Sequence, residues 1–402
     1  MLDAIRDAAT RYEADVIAWR RALHQQPELS TEETQTAQFV ADALAPLDLP
    51  MRTGLYNTGL MATVQGKKPG PTVFLRADMD ALPIQEETGL DFASQNDGAM
   101  HACGHDAHTA MLLGAAHMLS GMREDIHGAI RCCFQPSEER LPGGAPFLIE
   151  EGVLDDDDHS AAPEVVYGQH VAPDLPAGTI GVHSGMYMAS ADEIYLTIHG
   201  EGGHAAAPHE LSSDAVVAAA HVITALQSVN SRHRPPDVPS VLSLGRVQAD
   251  GATNVLPDAV QIEGTFRAMD EPWRQKAHGL IERIATQTAR AHGATATVDV
   301  KTGYPALYNH DAPTALARNA ALDYVGEDRT IDLEKWYAGE DFAYYLQECP
   351  GSFYRLGTGS ASGHDTHGLH TSRFTINEDA LSTGAGFMAY LAWRYGAEAS
   401  RG

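Results

Sequence analysis

The chain opens with two amphipathic segments separated by a polar turn. Apolar side chains recur every three or four positions and predict a first helix over residues 3–25: Ile5, Tyr12, Val16, Trp19 and Leu23. Pro27 should end this helix. The following Ser30-Thr31-Glu32-Glu33 segment has the composition of an N-terminal cap, so a second helix is predicted over residues 33–44.

After this helical pair, short apolar runs alternate with helical patterns. Strands are predicted at 59–65, 72–77, 128–134 and 164–169, and a helix is predicted at 107–122. Strands that alternate with helices indicate an α/β fold with a largely parallel sheet flanked by helices.

The pattern changes near residue 188. The following elements are predicted in the order β-α-β-β-α-β, as in a ferredoxin-like α+β unit: 192–199, 212–231, 240–248, 259–268, 271–292 and 295–301. Helix–strand alternation resumes at about 304. We therefore predict a discontinuous domain of residues 1–187 and 304–402, interrupted by an inserted domain of residues 188–303.

The composition limits the classes of partner. The chain has 402 residues, with 54 acidic against 27 basic side chains and a net charge of −27. Such a chain lacks the basic stripe that binds phosphates, so nucleic acid and anionic membranes are not expected as partners. A halophilic origin is one hypothesis for this acidity, and a GC-rich genome that favours Arg over Lys is another. Stability measured against KCl would separate them, because salt screens self-repulsion.

Targeting signals and disulfide patterns are not evident. The N-terminus lacks the basic and apolar regions of a signal peptide, and no apolar stretch is long enough to span a bilayer. Four cysteines in a chain of this length do not suggest a disulfide framework. We expect a cytoplasmic protein.

The segment 100–108, MHACGHDAH, contains the densest candidate chemistry. Cys103, His105, Asp106 and His108 carry thiol, imidazole and carboxylate groups, which bind zinc-like divalent metals. Further carboxylates and imidazoles follow predicted strands, in Ser137-Glu138-Glu139 and at His170, and another imidazole comes at His370. Open α/β sheets place their ligands beyond the carboxyl ends of strands, so these groups are expected to converge.

Taken singly, each candidate is more often structural than functional. Together they match a two-metal centre, which needs about five to seven ligands. Five candidates supply them: Cys103, His105, Glu139, His170 and His370. Glu138 is then left beside the site as a base, because neighbouring side chains on an extended segment point in different directions.

Nine segments, in order along nearly the whole chain, resemble motifs of the M20 family of metallopeptidases and amidohydrolases. The similarity is to the branch of hippurate hydrolases, N-acyl-amino-acid amidohydrolases and auxin-conjugate hydrolases. The segments are 21–28 (RALHQQPE), 76–83 (RADMDALP), 100–108 (MHACGHDAH), 135–139 (QPSEE), 202–209 (GGHAAAPH), 254–257 (NVLP), 264–267 (GTFR), 339–342 (GEDF) and 368–370 (GLH).

The resemblance implies two divalent metal ions per subunit, bound by the five residues named above. Zinc is favoured, with manganese and cobalt as alternatives. Cys103 stands where peptidase branches of the family have a bridging aspartate, so a bridging thiolate is implied. Glu138 becomes the general base, and Asp80 matches a carboxylate that orients a ligand. From the sequence alone, Asp80 is equally a turn residue at a strand end.

The resemblance also gives the inserted domain the roles of a lid and a dimerisation surface. His204 corresponds to a histidine that donates to the substrate oxyanion, often across a homodimer. Asn254 and Arg267 match positions that hold the substrate carboxylate; without the resemblance they would be a turn former and a surface charge. Asp106 and His108 fall at the start of helix 107–122, with Asp106 as its N-cap.

The function implied is hydrolysis of the amide bond of small N-acyl amino acids, such as hippurate-like or N-acetyl compounds. A metal-bridged hydroxide would attack the carbonyl, with Glu138 as the base. The alternative within the same family is a dipeptidase or carboxypeptidase. A non-catalytic binding protein would lack a ligand or the base, and this chain has all six residues.

Overall fold

The computed structural model describes residues 1–360 and 367–400. The α-helices in these ranges are α1 (Leu2–Gln25), α2 (Thr34–Leu44), α3 (His105–Ser120), α4 (Ala145–Glu150), α5 (Ala215–Leu226), α6 (Glu271–Ala291), α7 (Asp311–Val325), α8 (Phe342–Glu348) and α9 (Ala380–Ala399).

The strands in the same ranges are β1 (Met51–Leu55), β2 (Gly59–Gln65), β3 (Lys68–Asp78), β4 (His127–Gln135), β5 (Pro163–Pro176), β6 (Ile180–Val182), β7 (Gly185–Met188), β8 (Asp192–His199), β9 (Gly203–His204), β10 (Ser240–Ala249), β11 (Val255–Leu256), β12 (Ala259–Ala268), β13 (Thr295–Lys301), β14 (Leu307–Asn309), β15 (Thr330–Asp332) and β16 (Gly351–Gly359).

The chain divides into two compact units. The first consists of Met1–Gly185, Tyr308–Glu334 and the described part of Asp341–Gly402. The second consists of Met186–Leu307 and Lys335–Glu340. The short segment 335–340 therefore belongs to the second unit, whereas the sequence analysis assigned it to the larger domain. Backbone hydrogen bonds explain the difference. The N–H of Trp336 donates to the carbonyl oxygen of Tyr187 (2.9 Å), and the carbonyl oxygen of Trp336 accepts from the N–H of Ala189 (3.2 Å).

The first unit is built on an eight-stranded sheet in the order β1-β2-β4-β3-β5-β16-β6-β15. The central pairs β4/β3, β3/β5 and β5/β16 are parallel, while β1/β2 and β2/β4 are antiparallel. The predicted α/β class is confirmed: the sheet is mixed, with three parallel pairs at its centre and a further parallel pair, β6/β15, at one edge. Strands β4 and β16 are buried on both faces, as expected for strands covered by helices on either side.

Helices α1, α3 and α9 pack against one another, and α9 also contacts β3. Helix α3 is buried around almost its whole circumference, from His105 to Leu119, which matches its apolar sequence. This helix begins within the candidate metal motif, so a rigid core element carries the last four residues of that motif, 105–108.

The predicted cap of α2 is wrong in detail. Glu33 occupies the N-cap position but its side chain makes no capping hydrogen bond. Instead, the carboxylate of Glu28 accepts from the backbone N–H groups of Gln35 (3.1 Å) and Thr36 (2.9 Å). The side chain of Glu33 is bonded elsewhere, as described below.

The second unit has the ferredoxin-like element order β8-α5-β10-β12-α6-β13. Its antiparallel sheet has the order β10-β12-β8-β13. Helices α5 and α6 pack against each other, and each begins at an aspartate that accepts from backbone N–H groups, Asp214 and Asp270 respectively. The apolar residues of both helices and of the sheet form one core.

All four cysteines are buried and free of disulfide bonds. Among the described residues, none of the helices combines the length and apolar character that crossing a membrane requires.

Candidate metal centre

A left-handed glycine connects the extended segment of the 100–108 motif to α3. Gly104 has φ +88° and occupies the N-cap position of α3. A Cβ atom there would lie 2.5 Å from the Cγ2 atom of Val171, so both the backbone conformation and the close packing require glycine. The turn allows Cys103 before it and His105 after it to contribute to one cluster.

All five predicted ligands meet in the first unit. The Cys103 Sγ atom lies 3.4 Å from His170 Nε2 and 3.3 Å from His370 Nε2. Glu139 Oε1 lies 3.3 Å from His370 Nε2 and 3.8 Å from His105 Nε2. The side chains form two groups of three, Cys103/His105/His170 and Cys103/Glu139/His370, and Cys103 is common to both.

The cluster fits transition-metal ions. His105 Nε2 and Glu139 Oε1 are buried and make no hydrogen bond among the described residues. Such atoms are costly to bury unless something else coordinates them. One thiol, three imidazoles and a carboxylate form a donor set that suits zinc and similar ions, whereas calcium and magnesium prefer oxygen ligands alone.

His105 and His108, the two histidines in the first turns of α3, have different roles. His105 Nδ1 lies 2.9 Å from the carbonyl oxygen of Asp80, which leaves Nε2 directed at the carboxylates of the cluster. In His108, Nε2 accepts from the backbone N–H of Val171 (2.9 Å), so the neutral ring carries its proton on Nδ1. That nitrogen lies 2.6 Å from Asp78 Oδ1. Both ring nitrogens of His108 are therefore occupied, and the residue lies near the start of a helix, where the resemblance put it.

Asp80 connects two parts of the cluster. Its Oδ1 atom lies 3.1 Å from His105 Nδ1, and its Oδ2 atom accepts from the backbone N–H of Glu139 (2.9 Å) and from the Ser30 hydroxyl (2.6 Å). Burial alone would raise the pKa of Asp80, but these hydrogen bonds, led by that with His105, hold it below its ordinary value. A carboxylate that fixes the tautomer of a histidine is the arrangement found around metal ligands.

Carboxylates crowd the cluster and shift the pKa values of its thiol and of one imidazole. Burial raises the pKa of the Cys103 thiol well above its ordinary value, and Glu139 and Glu138 raise it further. Burial alone would lower the pKa of His105, yet Asp78 and Asp80 raise it to about 10. A concentration of buried carboxylates beside a thiol favours divalent cations, whose charge in turn favours the thiolate.

The predicted N-cap role of Asp106 is wrong. Helix α3 begins at His105, so Asp106 lies inside its first turn. There its Oδ2 atom accepts from Arg20 Nε and lies 2.8 Å from His24 Nδ1. Burial opposes the charged form, but Arg20 and His24 hold the pKa of Asp106 well below its usual range. His24, to which the sequence assigned no role, thus joins α1 to the metal motif.

Two buried residues near the site were not predicted to have a role. Asp78 holds His108, and the buried Arg76 donates to Gln135 (2.9 Å) and Asp341 (2.7 Å). These contacts connect β3, β4 and the start of α8. The signal in the sequence that could have indicated these roles is the alternation of charged residues Arg76-x-Asp78-x-Asp80 at the end of a strand. Such an alternation is also common where the residues have no function.

In the second unit, His204 and Asn254 lie together on a short ribbon. His204 in β9 pairs with Val255 in β11, and the backbone N–H of Ala205 donates to the carbonyl oxygen of Asn254 (3.1 Å). Both side chains are exposed. His204 Nδ1 accepts from the N–H of Ala206 (3.1 Å), so the proton of the neutral ring is on Nε2.

Arg267 is half-buried on β12, opposite Val241 of β10. Burial lowers the pKa of its guanidinium, and Asp192 and Glu193 oppose this shift. Within the described part of the chain, the side chain of Arg267 forms neither a hydrogen bond nor an ion pair. A partly desolvated guanidinium with unused donors can bind a carboxylate in a bidentate manner.

The sequence model of Peptidase family M20/M25/M40 matches residues 74–394 of the chain. The chain belongs to the M20 peptidase family. An N-acyl-L-amino acid amidohydrolase from Geobacillus stearothermophilus is 45% identical, over 77% of this chain and 82% of the relative. Thermostable carboxypeptidase 1 from Saccharolobus solfataricus is 35% identical, over 98% and 99% of the two chains.

Comparison with a solved structure shows that the chain also has the fold of this family. A dinuclear metal-binding M20 peptidase from Bacillus subtilis superposes with a TM-score of 0.80 at 36% identity, covering 95% of this chain and 98% of the other. The resemblance to the M20 family is confirmed. The protein is a metal-dependent hydrolase of a family that includes amidohydrolases, deacetylases and carboxypeptidases.

Proposed function

We propose that this M20 enzyme hydrolyses the amide bond of small N-acyl amino acids, with hippurate-like and N-acetyl compounds as its substrate class. The observation that carries the proposal is the sharing of Cys103 between two groups of candidate ligands, neither of which includes Glu138. Glu138 lies beside them, in a further group with His105 and Glu139, and the test below asks whether it binds metal. The similarity to an N-acyl-L-amino acid amidohydrolase supports the substrate class.

In this proposal, two divalent ions bind to the two groups that share Cys103. His105 and His170 complete one group, and Glu139 and His370 complete the other. Zinc suits this donor set best, with manganese or cobalt as alternatives. When bound, such ions polarise the amide carbonyl and lower the pKa of water. Asp80 orients His105 and the backbone of Glu139.

Glu138 acts as the general base and then as the general acid. Its carboxylate is almost fully buried, and its Oε2 atom lies 4.0 Å from His105 Nε2. It takes a proton from the attacking water and passes it to the departing amine, so that the products are a carboxylic acid and a free amino acid. A carboxylate that does not bind metal is required for this transfer.

Residues of the second unit bind the substrate. The Nε2–H group of His204 donates a hydrogen bond to the carbonyl oxygen as negative charge develops there, either in its own subunit or in the partner subunit of a homodimer. Arg267 and Asn254 hold the carboxylate of the amino acid. The exposure of His204 and the unused donors of Arg267 support these roles.

The two adjacent glutamates provide the test. Glu138→Ala should lower kcat by roughly 10²–10⁴-fold with both metal ions retained, because only a proton carrier is removed. The matched variant Glu139→Ala should lose metal. Activity would be measured on hippurate, N-acetyl-methionine and dipeptides with zinc, manganese and cobalt, and metal content by elemental analysis. Loss of metal from Glu138→Ala would contradict its role as a base outside the coordination sphere.

The second candidate is a carboxypeptidase or dipeptidase with the same centre. The similarity to thermostable carboxypeptidase 1 along nearly the full length of both chains favours it. The same substrate panel decides between the two, since a peptidase would give a higher kcat/KM on unblocked dipeptides than on N-acyl amino acids.

A further inference from the structure

The turn that carries Glu138 and Glu139 has an unusual backbone. Ser137 has φ +60°, a left-handed conformation that residues with a side chain rarely adopt. Two glycines pack closely against the preceding Pro136. A Cβ atom added to Gly59 would lie 2.9 Å from the Cδ atom of Pro136, and one added to Gly144 would lie 1.9 Å from its carbonyl oxygen. The direction of the following residues therefore depends on what holds Ser137.

Two buried carboxylates from elsewhere in the chain hold this turn. The N–H of Ser137 donates to Glu33 Oε1 (2.8 Å), and the N–H of Glu139 donates to Asp80 Oδ2 (2.9 Å). The backbone is thus fixed on both sides of Glu138. Asp80 matches a recognised orienting position of the family, whereas Glu33 has no assigned role.

Glu33 is itself rigidly held. Its side chain is fully buried; Oε1 also accepts from the N–H of Thr31 (2.9 Å), and Oε2 accepts from the hydroxyl of Thr58 (2.8 Å). It makes no capping bond to α2, a task that Glu28 performs, and it belongs to none of the candidate metal groups among the described residues. The hydrogen bond from the N–H of Ser137 is therefore the contact that connects Glu33 to the Glu138–Glu139 turn.

We propose that Glu33 is a positioning residue of the metal centre: it holds Ser137 in the left-handed conformation and thereby aims the side chains of Glu138 and Glu139. The inference builds on the proposed function, because it assigns those two glutamates to catalysis and metal binding. It also predicts that the α1–α2 connection, remote in sequence from every ligand, contributes to metal affinity.

The test compares Glu33→Ala with Glu28→Ala. Both carboxylates lie in the α1–α2 connection and accept from two backbone N–H groups, but only Glu33 contacts the Glu138–Glu139 turn. Glu33→Ala should weaken zinc binding, measured by competition with a chromophoric chelator, and lower kcat, each by roughly tenfold to hundredfold with little change in KM. Glu28→Ala should lower only the melting temperature.

Glu33→Gln provides the rescue. An amide oxygen can still accept from Ser137 and Thr31, and the amide nitrogen can donate to Thr58. Burial raises the pKa of Glu33 to about 7, so the carboxyl group carries only part of its charge at neutral pH. Replacing it by a neutral amide therefore changes the local charge little. This variant should recover most of the zinc affinity and kcat. If Glu33→Ala does not fold, Glu33→Asp, which is one methylene too short for both contacts, should show the same losses.

Zinc affinity and kcat at the wild-type level in Glu33→Ala or Glu33→Asp, with only a lower melting temperature, would overturn the proposal. The same is true if Glu33→Gln is as impaired as Glu33→Ala. Zinc affinity is measured without substrate. A wild-type protein that binds zinc but cleaves no N-acyl amino acid would therefore refute the proposed function and leave the role of Glu33 to be decided by the chelator titration.

Discussion

The candidate residues of the two units differ in how they are held. In the first unit, Cys103, His105 and His170 are at least 93% buried, Glu139 is partly buried and His370 is 52% exposed, yet all five lie within contact distance of other candidate ligands. In the second unit, His204 and Asn254 are exposed on a two-stranded ribbon and are fixed by local backbone contacts. The first arrangement exists before any substrate binds, whereas the second leaves side chains available to a ligand.

This difference separates two kinds of function. Thiol, imidazole and carboxylate donor atoms that converge in one cluster are organised for cations, and their loss should alter metal content. Exposed donors on a ribbon are organised for an incoming molecule, and their loss should alter turnover or KM with the metals unchanged. Substitutions of the five proposed metal ligands should therefore be distinguishable from substitutions of His204, Asn254 and Arg267 by elemental analysis.

The largest effect is expected for Cys103→Ser in the first unit. Because Cys103 belongs to both groups of ligands, its loss should weaken metal binding by more than the roughly tenfold to hundredfold that an outer hydrogen-bonding partner contributes. Metal content and activity would be measured together. Cys132→Ser, a buried thiol of β4, is the control and should retain both metals. Unchanged metal affinity in Cys103→Ser would remove it from the ligand set.

The next effect is expected for His204→Ala in the second unit. Removal of a donor to a developing oxyanion typically lowers kcat by roughly 10²–10³-fold, and metal content should not change. His209→Ala, an exposed histidine of the same segment, is the control. Mixing His204→Ala with Glu138→Ala subunits should restore part of the activity if His204 acts across the dimer. Confirmed heterodimers without recovery would contradict action in trans.

A smaller effect is expected for Arg267→Lys. Lysine keeps the charge but loses the bidentate fork, so KM should rise by roughly tenfold, or about 1.4 kcal/mol, for substrates with a free carboxylate. Substrates whose carboxylate is replaced by an amide should be affected little. Arg246→Lys, an exposed residue of β10, is the control. An equal rise in KM for both kinds of substrate would show that Arg267 does not bind the carboxylate.

The smallest effect concerns acid stability of the second unit. Asp192 is buried and accepts from Arg274 Nε (2.9 Å) and lies 2.7 Å from His278 Nε2. Burial opposes its ionisation, but the bond to Arg274 holds the pKa of Asp192 below its ordinary value. A lowered carboxyl pKa stabilises the fold above the unfolded value of about 3.9, and the contribution is lost as the pH falls below it.

The free energy of unfolding of wild type should therefore exceed that of Asp192→Asn most at neutral pH. The difference should shrink below about pH 4, by at most roughly 1.4 kcal/mol per pH unit. Urea unfolding at several pH values measures this. A difference that stays constant down to about pH 3 would contradict the assignment.

The sequence was informative where the signal was local or shared with a family. The alternation of strands and helices predicted the α/β class, and the motif at 100–108 predicted a metal centre whose five proposed ligands lie together. It failed where tertiary contacts decide. Asp106 has the chemistry of an N-cap, but Arg20 and His24 of a different helix bind it. No local pattern distinguishes Glu28, which caps α2, from Glu33, which contacts a turn 104 residues away.

The central claim is that a single thiolate, from Cys103, joins two metal ions. Anomalous diffraction from crystals of the zinc-loaded protein tests it most directly. The account predicts two ions, each about 2.3 Å from Cys103 Sγ, with Glu138 bound to neither ion. A single ion, or two ions with the Cys103 sulfur outside their coordination, would contradict it.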